Sequence, residues 1–281
     1  MRDYLRLIRP ANVVTAAADV LAGFAASGAP ARPALGLLML SGMCLYAGGV
    51  ALNDLLDRRE DALTRPERPI PSGRVSLLGA AILVALLLFS GLGLAFQVSP
   101  TSGVLAALLA LLACLYDAWA KRRAFAGPLC MGSCRGLNLL LGVSLLPAAL
   151  PGRCYLALLP VLYVGAITCV SRGEVERGRR EAGRGLALLG ASLVMLGCLS
   201  GGSPWSLGLL AWLGLRTGPA FWRAWRSRDP LHSRAAVRNG VLSLILLDGA
   251  LAAAYAGPWL AALVLLLGFL ARRLARAFEV S

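Results

Sequence analysis

The chain has 281 residues, of which 58% are hydrophobic and only 15% charged, with a net charge of +14. A soluble domain carries about 25% charged residues, so this composition excludes an ordinary water-soluble enzyme, and no soluble basic domain is present that would bind nucleic acid. Apolar runs of about 17–20 residues match a bilayer, where backbone groups must be satisfied within the segment, so the chain reads as an all-α membrane bundle forming a single domain over residues 1–281.

Ten segments are predicted in chain order, near 11–28, 36–55, 76–97, 101–119, 125–149, 154–171, 184–200, 204–222, 235–255 and 257–275, with nine spans as the alternative count. The first has the basic start and small residues of a leader peptide, but Asn12 and Asp19 interrupt its apolar stretch, so it reads as a span. With the N-terminus inside, the inner loops, their adjoining helix ends and the termini hold all but four of the 28 Arg and Lys residues. Arg32 and Arg153 fall outside, and Arg135 and Arg216 fall within segments. That asymmetry predicts a cytoplasmic N-terminus and contact with anionic membrane lipids. The seven cysteines form no CxxC pair and read as small apolar side chains.

The second segment runs into "LNDLLDRREDALTRPERPIPSGRVS", residues 52–76, which holds five acidic residues and five arginines between apolar runs. On one helix Asp54, Asp57 and Asp61 fall at i, i+3 and i+7, stacked on one face. Three like charges on one stripe call for a cation, and oxygen-only ligands suit Mg²⁺, which bridges carboxylates to phosphates. The bland alternative is a solvated helix end balanced by its arginines.

"NDLLDRRED" followed by "RPERPIPSGRVS" resembles the first aspartate-rich motif of the UbiA superfamily of intramembrane prenyltransferases. "RPAN" (9–12) and "YDAWAKRRAFAGPLCMGSCRGLNLLLG" (116–142) extend the likeness across nearly the whole chain. The resemblance implies nine to ten transmembrane helices around a central cavity, and transfer of a prenyl group from a polyprenyl diphosphate to an aromatic or lipidic acceptor with Mg²⁺. It implies Asp54, Asp57 and Asp61 as metal ligands, Asn53 orienting them, Lys121 and Arg122 meeting phosphate oxygens, and Arg65 and Arg68 adding bidentate contacts. Asn12 and Asn138 fall at further substrate-facing positions of the resembled pattern. An apolar cavity would shield the allylic cation.

The second motif departs from the pattern. "SRGEVERGRREAGRGLAL" (171–188) contains no aspartate, and Arg179 stands where one is expected. Glu174 and Glu181, seven apart, share a face if the helix is continuous. Alternatively Arg177, Arg179 and Arg180 meet the diphosphate directly. This region, with "CRGLNLLLG", most resembles the divergent UbiA-like EboC branch, which implies a bacterial inner membrane and a cytoplasmic active face. A non-catalytic prenyl-lipid binding protein and a transporter with a cation site remain as other readings. Asp19 and Asp248 are expected to face the bundle interior, with Arg135 as a structural partner.

Overall fold

The computed structural model describes residues 2–176, 179–227 and 229–277, and their side chains apart from 173–176, 179, 276 and 277. Among the described residues there are helices and turns only. A short α1 (Arg2–Ile8) leads into α2 (Pro10–Ser27), α3 (Ala34–Leu56), a short α4 (Arg58–Thr64), α5 (Leu77–Val98), α6 (Pro100–Ala118) and α7 (Ala126–Val143). One turn of helix, α8 (Leu150–Arg153), precedes α9 (Leu158–Glu176), α10 (Arg179–Leu199), α11 (Pro204–Arg226), α12 (Pro230–Ala256) and α13 (Pro258–Ala277).

Local chemistry sets these boundaries. Proline opens α2, α6, α11, α12 and α13, where its missing N–H costs nothing and its fixed φ is already helical. Ser76, Ser99, Ser203 and Asp229 cap the following helices by accepting a hydrogen bond from a first-turn amide. The helices run up and down. At one end Ser102 of α6 bonds Ser144 after α7, Ser206 of α11 bonds the Ala250 carbonyl of α12, and Tyr155 meets Tyr255. The charged ends gather at the other.

Within lipid, helices gain little from apolarity when they associate, so close packing of small residues takes over. A methyl group on Gly142 of α7 would lie 1.9 Å from the Val20 carbonyl oxygen of α2, and one on Gly23 would lie 1.9 Å from the Leu139 carbonyl oxygen. Gly132 and Gly136 bring the next face of α7 close to Val161 of α9 and to Ala157 just before it, where a methyl group would lie 2.7 and 2.9 Å from their carbonyl oxygens. The core cluster spreads from this seam over α2, α7, α9 and α12, with Tyr163 fully buried and donating to the Gly240 carbonyl.

Seven stretches are long and apolar enough to cross a membrane, or eight if α1 and α2, bent by 46°, count as one span. The protein is an integral membrane protein, but the expected nine to ten spans are not reached on this criterion. The helices α7 and α11 exist and fall short. Most of α7 is buried against other helices, so Arg135, Asn138 and its glycines face protein rather than lipid. The helix α11 carries Arg216, Arg223 and Arg226.

Gly142→Ala is expected to destabilise the protein by about 1–3 kcal/mol through overpacking at the α2–α7 seam. Gly36→Ala, where nothing lies within 4 Å, is expected to be neutral or stabilising. Thermal melting of the two purified variants in one detergent checks the contrast; equal melting temperatures would remove the seam from the account.

Candidate functional site

The aspartate stretch does not continue α3. The helix ends at Leu56, and Asp57 (φ −84°, ψ 2°) closes it while serving as the cap of α4. The expected alignment of Asp54, Asp57 and Asp61 on one continuous face is therefore not kept. A straight helix would stack three like charges, and at the break Asp57 goes to a different cation from the one that Asp54 and Asp61 share. Asp54 and Asp61, each 5% exposed, converge on one guanidinium nitrogen: Arg68 Nη1 lies 3.2 Å from Asp54 Oδ1 and 2.6 Å from Asp61 Oδ2. Asp57 is taken by Lys121, with Nζ 2.5 Å from its carboxylate.

The loop after α4 delivers Arg68. Its carbonyl accepts the Ser72 amide and hydroxyl, and Gly73 turns the chain at φ 75°. Beyond it Ile70 and Val75 are buried against Leu7, Ala51, Ala80 and Val84, which ties the loop down on α1, α3 and α5. The sequence "RPIPSGRV" thus acts as an anchored strap.

A second cation comes from the break between α1 and α2. Arg9 precedes Pro10, which disfavours helical backbone, and takes up left-handed geometry (φ 51°, ψ 68°) that costs an ordinary residue about 1–2 kcal/mol. Its guanidinium donates to Asp54 Oδ1 at 2.8 Å.

The third contribution follows α6. A single 3₁₀ turn, Ala120–Arg122, seats Lys121, and Arg172 near the end of α9 donates to the Lys121 carbonyl at 2.9 Å. The ends of α3 and α9 are thereby joined through the Lys121 turn, although more than 100 residues separate them. Asn53 donates to Asp117 at 2.7 Å, and Asp117, one turn before Lys121, lies 3.9 Å from its Nζ. Asn53 therefore orients an aspartate outside the motif.

Arg9, Asn53 and Asp117 of this network line a cavity of about 310 Å³; Asp54, Asp57, Asp61, Arg68 and Lys121 are not among its lining residues and join it through Arg9 and Asp117. Its polar lining is Arg9, Asn53, Asp117 and, further along, Tyr46, Tyr116 and Arg135, with Leu45, Val50, Leu109 and Ala113 among the apolar walls. Beside it Arg135 pairs with Asp19 at 3.1 Å, and Asn138 donates to Asp19 and to the Ala16 carbonyl, both at 2.8 Å. Asp19 and Asp248 are both buried. Asn138 lines the cavity at this inner end, away from the aspartates.

The remaining sequence-named residues are more dispersed. Asn12 is half-buried in the first turn of α2 and is not among the cavity-lining residues. Arg65, Arg122 and Arg180 are exposed. Arg177 and the side chains of Glu174 and Arg179 lie outside the described residues. Glu181, in the first turn of α10, pairs with Arg184 at 2.5 Å, and the face that Glu174 and Glu181 were expected to share falls on residues outside the described ones. Arg9, Asp117, Tyr46 and Tyr116 were not singled out from the sequence. Two signals pointed to them: the helix-breaking Arg-Pro pair, and an aspartate four residues before a lysine in "YDAWAKR".

Mg²⁺ suits what remains of the acidic set. Asp54 and Asp61 offer only oxygen ligands and already share one cation position, and Mg²⁺ commonly takes one or two carboxylates while keeping water and phosphate as its other ligands. Asp57 is turned to Lys121, and among the described residues no group of three acidic side chains is gathered around one point.

Residues 12–278 match the UbiA prenyltransferase family, and the chain belongs to it. Digeranylgeranylglyceryl phosphate synthase of Ignicoccus hospitalis is 34% identical over 180 residues, 63% of this chain and 58% of that protein. The enzyme of the same name from Hyperthermus butylicus is 33% identical over 70% of this chain and 68% of its own length. Against most such curated relatives the chain spans about half of their length. A solved UbiA homologue of Aeropyrum pernix superposes with a TM-score of 0.71 at 19% identity, covering 85% of this chain and 96% of its own. One from Archaeoglobus fulgidus, bound to GPP and Mg²⁺, gives 0.56 at 16% identity over 96% and 99%. These relatives are archaeal and carry no sign of the EboC branch.

Arg68→Ala is expected to cost about 1–3 kcal/mol, because it leaves two buried carboxylates without their shared partner. Arg65→Ala, on an exposed side chain, is expected to change stability by less than about 0.5 kcal/mol. Melting both variants without substrate tests this; an Arg68 variant as stable as the Arg65 one would show that the ion pairs contribute nothing.

Proposed function

We propose that this UbiA-family chain transfers a prenyl group from a polyprenyl diphosphate to a lipid acceptor at the charged end of its bundle. One observation carries the reading: acidic and basic side chains from four separate segments form one ion-paired network that reaches a largely apolar cavity through Arg9, Asn53 and Asp117. Diphosphate leaves slowly until its charge is neutralised. Arg68 and Lys121 are placed to donate to its oxygens, and Arg9 joins them from the opposite segment. Asp54 and Asp61 would hold Mg²⁺, with Asp57 close by, and the ion when bound supplies further neutralisation of the leaving group.

As the C–O bond breaks, its electron pair departs with the diphosphate, and an allylic cation is left in the cavity. The apolar walls keep water from that cation. The Tyr46 and Tyr116 rings line the same space and offer their negative faces to it. A hydroxyl of the acceptor then forms the new C–O bond and gives up its proton. Asp117, held by Asn53 and one turn from Lys121, positions the lysine and is the nearest described carboxylate lining the cavity to receive that proton.

For the acceptor we favour a glyceryl phosphate lipid. The support is the name of the curated relatives, whose product is a glyceryl phosphate bearing two geranylgeranyl groups. On the same basis the donor is geranylgeranyl diphosphate. The charged end is read as the cytoplasmic face from its Arg and Lys content, within a bundle of nine to ten spans. Arg179 and Arg180, at the start of α10, are proposed to add charge to the clamp in place of second-motif aspartates.

Asp54→Asn and Lys121→Ala are expected to lower release of diphosphate from geranylgeranyl diphosphate by about 10²-fold or more, with the fold intact. Arg180→Ala, on an exposed side chain, is expected to cost tenfold or less. The assay is diphosphate release in detergent with a glyceryl phosphate lipid as acceptor. A second reading, binding without turnover, is favoured by the complete pairing of the three aspartates with Arg and Lys. Saturable donor binding with no release under any acceptor would establish it and overturn the transferase.

A further inference from the structure

Arg216 takes no part in the reaction above. It lies ten residues before the end of α11 and twelve after its start, which puts it about 15 Å along the helix from the basic end. A guanidinium so deep in a membrane helix calls for a counter-group. It borders a groove of about 460 Å³ between α11 and α12 whose described lining is Arg216, Arg234, Ala235, Arg238, Asn239 and Leu242. None of these is acidic. Arg234 and Arg238 are four residues apart, and Leu242 four more, so one face of α12 carries two guanidinium groups and then an apolar side chain. The groove opens outward: Arg238 and Ala235 are exposed, as is Leu242, and Leu215 beside Arg216 is 76% exposed. It shares no residue with the catalytic cavity.

We propose that this groove binds the phosphate group of an anionic membrane lipid. A phosphate offers several oxygens to converging N–H donors, and Arg216, Arg238 and the Asn239 amide supply them in planar, fork-like geometry. The source is a lipid rather than free phosphate, because Leu242 in the groove and Leu215 beside Arg216 are exposed apolar side chains suited to acyl chains, and the deepest arginine lies along a membrane helix. Arg216 draws the headgroup inward from the interface, and the lipid in turn neutralises it. The site is independent of the proposed reaction.

The test uses the full chain in neutral detergent and native mass spectrometry. Phosphatidylglycerol and phosphatidylcholine with the same acyl chains are added separately, and inorganic phosphate is added as a competitor. About tenfold more phosphatidylglycerol than phosphatidylcholine adduct is expected, and about a tenfold loss of it in Arg216→Gln and in Arg238→Gln, with no competition by phosphate. Equal retention of the two lipids, unchanged adduct in both variants, or displacement by phosphate would each overturn the proposal. Arg238 is exposed, so its variant keeps the test decisive if Arg216→Gln does not yield folded protein.

Discussion

Neutralisation of buried charge is the constraint on which this structure turns. Asp54 and Asp61 are almost fully buried near the end of a membrane helix, where an uncompensated charge costs several kcal/mol. One arginine side chain, Arg68, answers both. To bring it there the chain breaks α3 at Asp57 and straps residues 68–75 onto α1, α3 and α5. The geometry of the strap, the break and the left-handed Arg9 all follow from that one requirement.

The same rule operates deeper in the bundle. Asp19 on α2 meets Arg135 and Asn138 on α7, in the region where Gly23 and Gly142 let the two backbones touch. Small residues permit the approach, and the polar contacts fix its register, since a slip of either helix would leave a buried carboxylate unpaired. Stability and specificity of packing are thus supplied by different residues on the same pair of helices. This seam also fixes one wall of the cavity, because Arg135 and Asn138 line it.

Function then inherits from packing. The paired state of the aspartates, arginines and lysine is a self-satisfied network that keeps the cavity mouth ordered without substrate. On the proposed reading, an entering diphosphate would offer the cations a more highly charged partner and free the carboxylates for a metal ion. The groups that hold the fold at this end would then be the groups offered to the ligand, with new contacts offsetting the separation of the old ones.

Much of this was legible in the amino-acid sequence. Apolar run length marked the helices, and the aspartate-rich stretch located the charged site, because each depends on residues near one another in the chain. Interior pairing of Asp19 with Arg135 also followed from the cost of charge in lipid. Which cation answers which aspartate did not. Asp57 pairs with Lys121 across 64 residues, Asn53 turns to Asp117 across the same gap, and Arg9 reaches Asp54 across 45. Sequence periodicity placed three aspartates on one face by assuming an unbroken helix. Only the tertiary structure decides where a helix stops when like charges stack along it, because the relief comes from side chains that the fold, and not the local sequence, brings within reach.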